Sequence, residues 1–229
     1  MKKSFASAAA VLAGAALGGA TKRLFAVRKY EAGDLAMRRL TAYCIIPVWI
    51  GAGFLDYIWH RRTKIETTSG LEESLIHSLM MIESSPPVLA PLFLKIDSGV
   101  LAGMVGFSVV HELTVLWDLW FTAPRRKIPA GEQITHTFLE AAPFLTTAAA
   151  IVTHWDEFLA LAGRGRRDAR FGIRLRRPPL PLRSAIAIFA AIGLFGAIPH
   201  ADELRRCIEA KREGHEGQDT AACLKEVFA

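Results

Sequence analysis

No stretch of this 229-residue chain alternates apolar and polar residues with period two, and its prolines and glycines mostly sit at the ends or kinks of apolar runs. A β-barrel or sheet protein therefore has no support. The GxSxG elbow, the Walker loop, HExxH and CxxC are all absent, and the glycine-rich N-terminus lacks the strand that a dinucleotide fingerprint requires. Cysteine is scarce, with Cys44, Cys207 and Cys223 making up the whole set. Serine hydrolase, P-loop, zincin and thiol-redox chemistries lose their usual signatures.

What the chain has instead is long apolar runs. Hydrophobic residues make up 52% of it and the mean hydropathy is +0.26. They gather at Leu40 to Trp59, Leu71 to Leu94, Val100 to Phe121, Ile134 to Leu161 and Leu182 to Pro199, close to the roughly 20 residues that cross a bilayer. The expected fold is all-α: an integral membrane bundle of five transmembrane helices with a small soluble helical hairpin at the C-terminus. The expected organisation is a basic N-terminal segment over 1–39, a four-helix bundle carrying the polar site over 40–161, an Arg-rich loop over 162–181, a fifth span over 182–199 and a soluble tail over 200–229. Residues 1–39 read equally as a signal-like segment, an interfacial helix or a weak span.

Net charge is +6, but the basic residues punctuate membrane segments, which fits orientation and anionic lipid headgroups and not nucleic acid. On one side fall Lys22, Arg23, Arg28, Lys29, Arg38 and Arg39, then Lys95, then eight arginines from Arg164 to Arg183. The other side has Arg61, Arg62, Lys64, Arg125, Arg126 and Lys127. Fifteen against six predicts an inner-membrane protein of bacterial type with the heavier side cytoplasmic and the C-terminal tail outside. A disulfide between Cys207 and Cys223 would agree with that threading, and two unpaired cysteines fit as well.

Ionisable residues interrupt the apolar runs in a pattern. Asp56 and His60 are spaced i, i+4, as are Glu73 and His77, and His136 and Glu140; His111 and Asp118 are spaced i, i+7. Each pair shares one helical face. In antiparallel spans all four pairs fall at the same end of the bundle. Ionisable groups inside a bilayer need a partner, and four imidazoles with four carboxylates suit two divalent metals, iron before zinc. The competing reading makes each pair a helix-end carboxylate beside a histidine satisfied by a neighbour.

The donor set is similar in kind to soluble carboxylate-bridged di-iron bundles, yet the spacing differs from Glu-x-x-His and the histidines are twice as many. It also resembles membrane desaturases and hydroxylases in placing histidines at one membrane face, but their HxxxH, HxxHH and HxxH boxes are absent. No family is assigned. Glu72 reads as part of a capping box with Ser69, Glu112 points away from His111, His154 and His200 fall at interfaces away from the cluster, and Glu83 has no assigned role.

These residues point to a membrane-embedded di-metal oxidoreductase that hydroxylates, desaturates or oxidatively cleaves a lipid-like substrate, drawing on an electron-donor protein. Arg61, Arg62, Arg125, Arg126 and Lys127 could hold a substrate headgroup, or serve as plain interfacial anchors. The alternatives are an electron carrier with bis-histidine haem b, a zinc metallohydrolase using Glu73 or Glu140 as base, and a transporter or accessory subunit with a His/carboxylate relay. The far halves of spans one, three and five offer little polar beyond glycine, serine and Cys44, which favours a closed-ended site over a through-path.

Overall fold

The computed structural model describes residues 32–164 and 168–221. Most of the N-terminal segment, Arg166, Arg167 and Cys223 with its possible disulfide lie outside the described residues.

Among the described residues the chain is helical with no strand. The first helix is α1 (Ala32–Leu40), a π-helical turn (Thr41–Ile45) and α2 (Ile46–Thr63) run end to end. It begins eight residues before the apolar run at Leu40, because Asp34 near its start pairs with His154 and the buried Met37 and Arg38 carry it into the bundle. After a 3₁₀ turn (Ile65–Thr67) come α3 (Gly70–Phe93), α4 (Ser98–Thr122) and α5 (Ala130–Thr153).

The predicted fourth span is broken. At His154 the backbone leaves helical geometry and α6 (Trp155–Leu161) starts anew; His154 Nε2–H donates to Asp34 Oδ1 at 2.8 Å, which fixes the break. The Arg-rich segment is extended and pinned to the α3–α4 connection: Lys95 N–H donates to the Arg174 carbonyl, Gly99 N–H to that of Arg170 and Arg176 N–H to that of Phe93.

The last helix is also longer than the apolar run. α7 (Leu182–Ile192) passes through a π turn (Gly193–Ala197) into α8 (Ile198–Arg212) without interruption. Both π turns stand just before a proline near the start of the next helix, Pro47 and Pro199. A proline lacks the N–H of the regular ladder, and a π turn reroutes the bonds around it. The helix is therefore continuous across residue 200, where the sequence suggested a fifth span giving way to a soluble tail.

Among the described residues three helices are long and apolar enough to cross a membrane: Gly33–Thr63, Ser98–Thr122 and Leu182–Arg212. α3 and α5 have 24 residues each but are more polar, because they carry site acids, histidines, serines, threonines and prolines on their inner faces. α4 shows the inversion expected in lipid. Its buried face holds Ser108, His111, Thr114, Asp118 and Thr122, whereas Leu113, Trp117 and Trp120 are 53 to 78% exposed. Polar groups turn inward and apolar ones outward, the reverse of a soluble core.

α3 is central, touching α4, α5 and α8, while α2 packs on α5 and α8. Two clusters of small and aliphatic residues, one around Met37, Leu101 and Met104 and one around Ile46, Val88 and Leu92, knit these helices together. Beyond α8 the chain turns back through Gly214 and Gly217 onto the start of α3. Here the expected capping box is replaced: Ser69 is helical and makes no cap bond, Gly70 takes φ +73°, and Glu216 Oε1 accepts from Leu71 N–H at 2.8 Å. A carboxylate at a helix N-terminus serves the free N–H groups whichever part of the chain supplies it.

Candidate metal centre

Three helices present the same two-residue unit, a carboxylate followed four positions later by a histidine: Asp56 and His60 on α2, Glu73 and His77 on α3, Glu132 and His136 on α5. The i, i+4 spacing puts both members on one face, and each face turns into the bundle. α4 adds Asp118 and α8 adds Glu203. All eight side chains are buried or nearly so.

Their ligand atoms form three overlapping groups, each within 4.8 Å: Asp56, His60, Glu132 and His136; His60, His77 and Glu203; Glu73, His77 and Asp118. These buried groups could hold metal ions. His60 and His77 each belong to two groups, and their rings stack at 4.8 Å with 15° between planes. Glu203 spans them, with Oε2 at 2.7 Å from His60 Nδ1 and Oε1 at 3.8 Å from His77 Nδ1.

Several of these atoms lack hydrogen bonds although polar neighbours are close. His136 Nε2 lies 2.9 Å from Asp56 Oδ1, yet neither makes a hydrogen bond of acceptable geometry; His60 Nε2, Glu132 Oε2 and Glu203 Oε1 are also unbonded. Buried polar atoms rarely stay unsatisfied, and atoms near one another but misaligned for hydrogen bonding are what ligands converging on a cation look like.

Charge supplies a second test of fit. Arg126, 2% exposed, donates through Nε and Nη2 to Glu73 and through Nη2 to Glu132. Burial works against its charge, but those carboxylates outweigh that and hold the guanidinium above its ordinary pKa. Five carboxylates against one guanidinium leave four negative charges if the imidazoles are neutral. Two divalent cations would cancel them. The set is rich in hard oxygen donors with three imidazoles and no thiolate, which suits iron or manganese better than a structural zinc site.

Six of the eight residues expected from sequence meet in these groups: Asp56, His60, Glu73, His77, Asp118 and His136. The other two do not. His111 parts from Asp118 and faces Glu83, and Glu140 lines the adjoining cavity without joining a group, its place beside His136 being taken by Glu132. On a helix His136 has acids four residues away in both directions, and packing against α2 and α3 selects the N-terminal one.

Glu132, Glu203 and Arg126 were not legible as site residues. Arg126 is no interfacial anchor, because the turn after α4 folds it under the bundle between two carboxylates. His200 is not remote either; it lines the cavity with Nε2 at 2.7 Å from Ser78 Oγ, because α8 continues along α3 and does not leave as a tail. The spacing of Gly196, His200 and Glu203 at i, i+4, i+7 carried that signal.

Gly131 lets α2 and α5 come together at the site. A Cβ there would overlap the Trp59 indole, next to His60, just as Gly131 precedes Glu132. Gly131→Ala should therefore push α2 from α5 and lower stability by about 1–3 kcal/mol, read as a shifted unfolding midpoint in detergent; an unchanged midpoint would disprove the close approach.

Against the cluster lies a cavity of about 130 Å³ whose other walls are mainly apolar, including Trp49, Met80, Val115, Leu139 and Ile192. No family model, curated protein or solved structure matches this chain.

Proposed function

We propose that the protein is a membrane-embedded dinuclear metal oxidoreductase, with iron as the metal, acting on a hydrophobic substrate. The observation that carries this reading is the joining of a buried donor set of five carboxylates and three imidazoles, with one guanidinium beside it, to a cavity that is otherwise apolar. Two irons held there would supply dioxygen reduction: with two electrons from a donor protein and two protons, one oxygen atom would enter the substrate and the other leave as water, or two substrate hydrogens would be removed and both oxygen atoms leave as water.

This chain's own residues supply the rest. Asp56, His60, Glu132 and His136 would hold one ion and Glu73, His77 and Asp118 the other, with Glu203 between. Arg126 fixes Glu73 and Glu132 in orientation, as outer partners of ligands commonly do. The apolar walls keep water from the reacting carbon, and the cavity's size admits the reacting segment of a long chain and not a whole lipid. With the Arg-rich loop cytoplasmic, the cluster would face the opposite leaflet.

Two alternatives weigh differently. His60 and His77 stack face to face, leaving no gap for a porphyrin between them, which counts against bis-histidine haem. A His/carboxylate relay draws support from the contacts that already join Glu203, His60, Glu132 and Arg126. The test is anaerobic reconstitution of detergent-purified protein with ferrous iron, followed by oxygen exposure. The reading expects ligand-to-metal absorption in the near-ultraviolet and Mössbauer parameters of spin-coupled ferric pairs. Iron that remains ferrous or binds as isolated ions would leave the relay as the better account.

A further inference from the structure

Deeper in the bundle than the eight-residue cluster is a second polar pair that the dinuclear reading does not use. Glu83 sits at the middle of α3 and His111 at the middle of α4, 5% and 4% exposed. His111 is seven residues before Asp118 on the same helix, which puts it about 10 Å further along the axis at 1.5 Å per residue.

Glu83 Oε1 accepts from the Thr114 hydroxyl at 3.0 Å, but Oε2 has no hydrogen bond. Neither ring nitrogen of His111 makes one of acceptable geometry, although the Met80 backbone faces the ring. Glu83 Oε2 and His111 Nδ1 are 4.0 Å apart. That is too far for a hydrogen bond, and it suits one oxygen atom placed at about 2.8 Å from each. His111 also lines the cavity shared with His60, His77 and His136.

We propose that His111, backed by Glu83, is a hydroxyl-binding position at the inner end of the cavity, and that the ligand it receives is an apolar molecule carrying an alcohol group. The inference rests on reading the cavity as the substrate site. A hydroxyl is the group that fits. A neutral imidazole offers one donor and one acceptor, and a carboxylate offers acceptors, so the partner must both donate and accept. A carboxylate ligand would meet Glu83 and Glu140 with no cation beside it, and an ammonium ligand could only donate. The alcohol would fix the chain so that a carbon some distance along it lies against the cluster, which is how a positioning contact selects the reacting atom.

The probes are 6-bromo-1-hexanol and 1-bromohexane, whose bromine quenches tryptophan. Trp49 lines the cavity, so the saturable part of quenching that disappears in Trp49→Phe reports occupancy. At equal mole fraction in detergent micelles the alcohol should bind about tenfold more tightly than the bromoalkane, the ratio that one ordinary hydrogen bond sets. His111→Phe should abolish that preference while leaving metal content unchanged, and Glu83→Met should reduce it, giving a second reading if one variant fails to fold. Equal affinity for the two probes, or a preference that survives in both variants, would overturn the proposal. Loss of metal in His111→Phe would also overturn it, by making His111 a ligand, while leaving the dinuclear reading intact. An alcohol preference in protein that binds no metal would uphold the hydroxyl position and remove the dinuclear reading.

Discussion

Replacing His60 with alanine should remove at least one of the two metal ions per chain and weaken the second by 10- to 100-fold or more. His60 belongs to two of the three ligand groups and touches Asp56 at 3.5 Å, Glu132 at 3.4 Å and Glu203 at 2.7 Å. Its loss takes one donor from the centre on α2 and α5 and releases Glu203, which joins that centre to the one on α3. Losses of this size follow even from removing the outer partners of ligands, so removing a shared ligand sets a lower bound there. His111→Ala is the matched control: a buried histidine of the same bundle, outside all three groups, whose loss should leave the metal count at its wild-type value. Equal retention of metal in His60→Ala and His111→Ala, measured by elemental analysis per chain, would contradict the assignment.

The largest effect on stability is expected at Arg126. Arg126→Met leaves Glu73 and Glu132, both fully buried, without the cation that bonds them. Removing one partner of a buried ion pair strands the other charge and costs about 3–5 kcal/mol. Arg126→Lys keeps the charge but not the fork that engages both oxygens of Glu73 through Nε and Nη2, so it should recover only part of that loss. Unfolding of the purified protein in mixed micelles measures both variants. A shift of less than about 1 kcal/mol for Arg126→Met would mean the guanidinium is solvated and not the counter-charge of the cluster.

Much of this architecture is legible in the sequence. Long apolar runs gave the helices, and interruption of those runs by His and acid pairs marked which helix faces turn inward. What escaped the sequence was lost for identifiable reasons. Glu132 and Glu140 flank His136 symmetrically, and taken alone the local sequence does not choose between them; the packing of α5 against α2 and α3 does. Glu203 stands in "ADELRR", which reads as a soluble tail until the π turn at Gly193–Ala197 is known to carry the helix past Pro199. Arg126 stands among Arg125 and Lys127, and nothing local distinguishes a buried arginine from an interfacial one. Arg125 lies over the Phe121 ring while its neighbour is buried between carboxylates, a difference of one position in a turn. His111 and Asp118 share a face but sit two turns apart along it, so spacing aligned them without bringing them to one depth.

A regularity that was available emerges when the pairs are compared. In the three helices that contribute histidine to the cluster, the acid precedes the histidine by four residues, as in Asp56 and His60, Glu73 and His77, and Glu132 and His136. His136 with Glu140 reverses that order, and His111 with Asp118 reverses it and lengthens it.

The most direct test is metal content of the wild-type protein, purified in detergent after anaerobic loading with ferrous iron and desalting. The account predicts about two ions per chain, with Glu132→Gln lowering that number and Glu140→Gln leaving it unchanged. No retained metal in the wild type, or a dependence on Glu140 and not on Glu132, would contradict it.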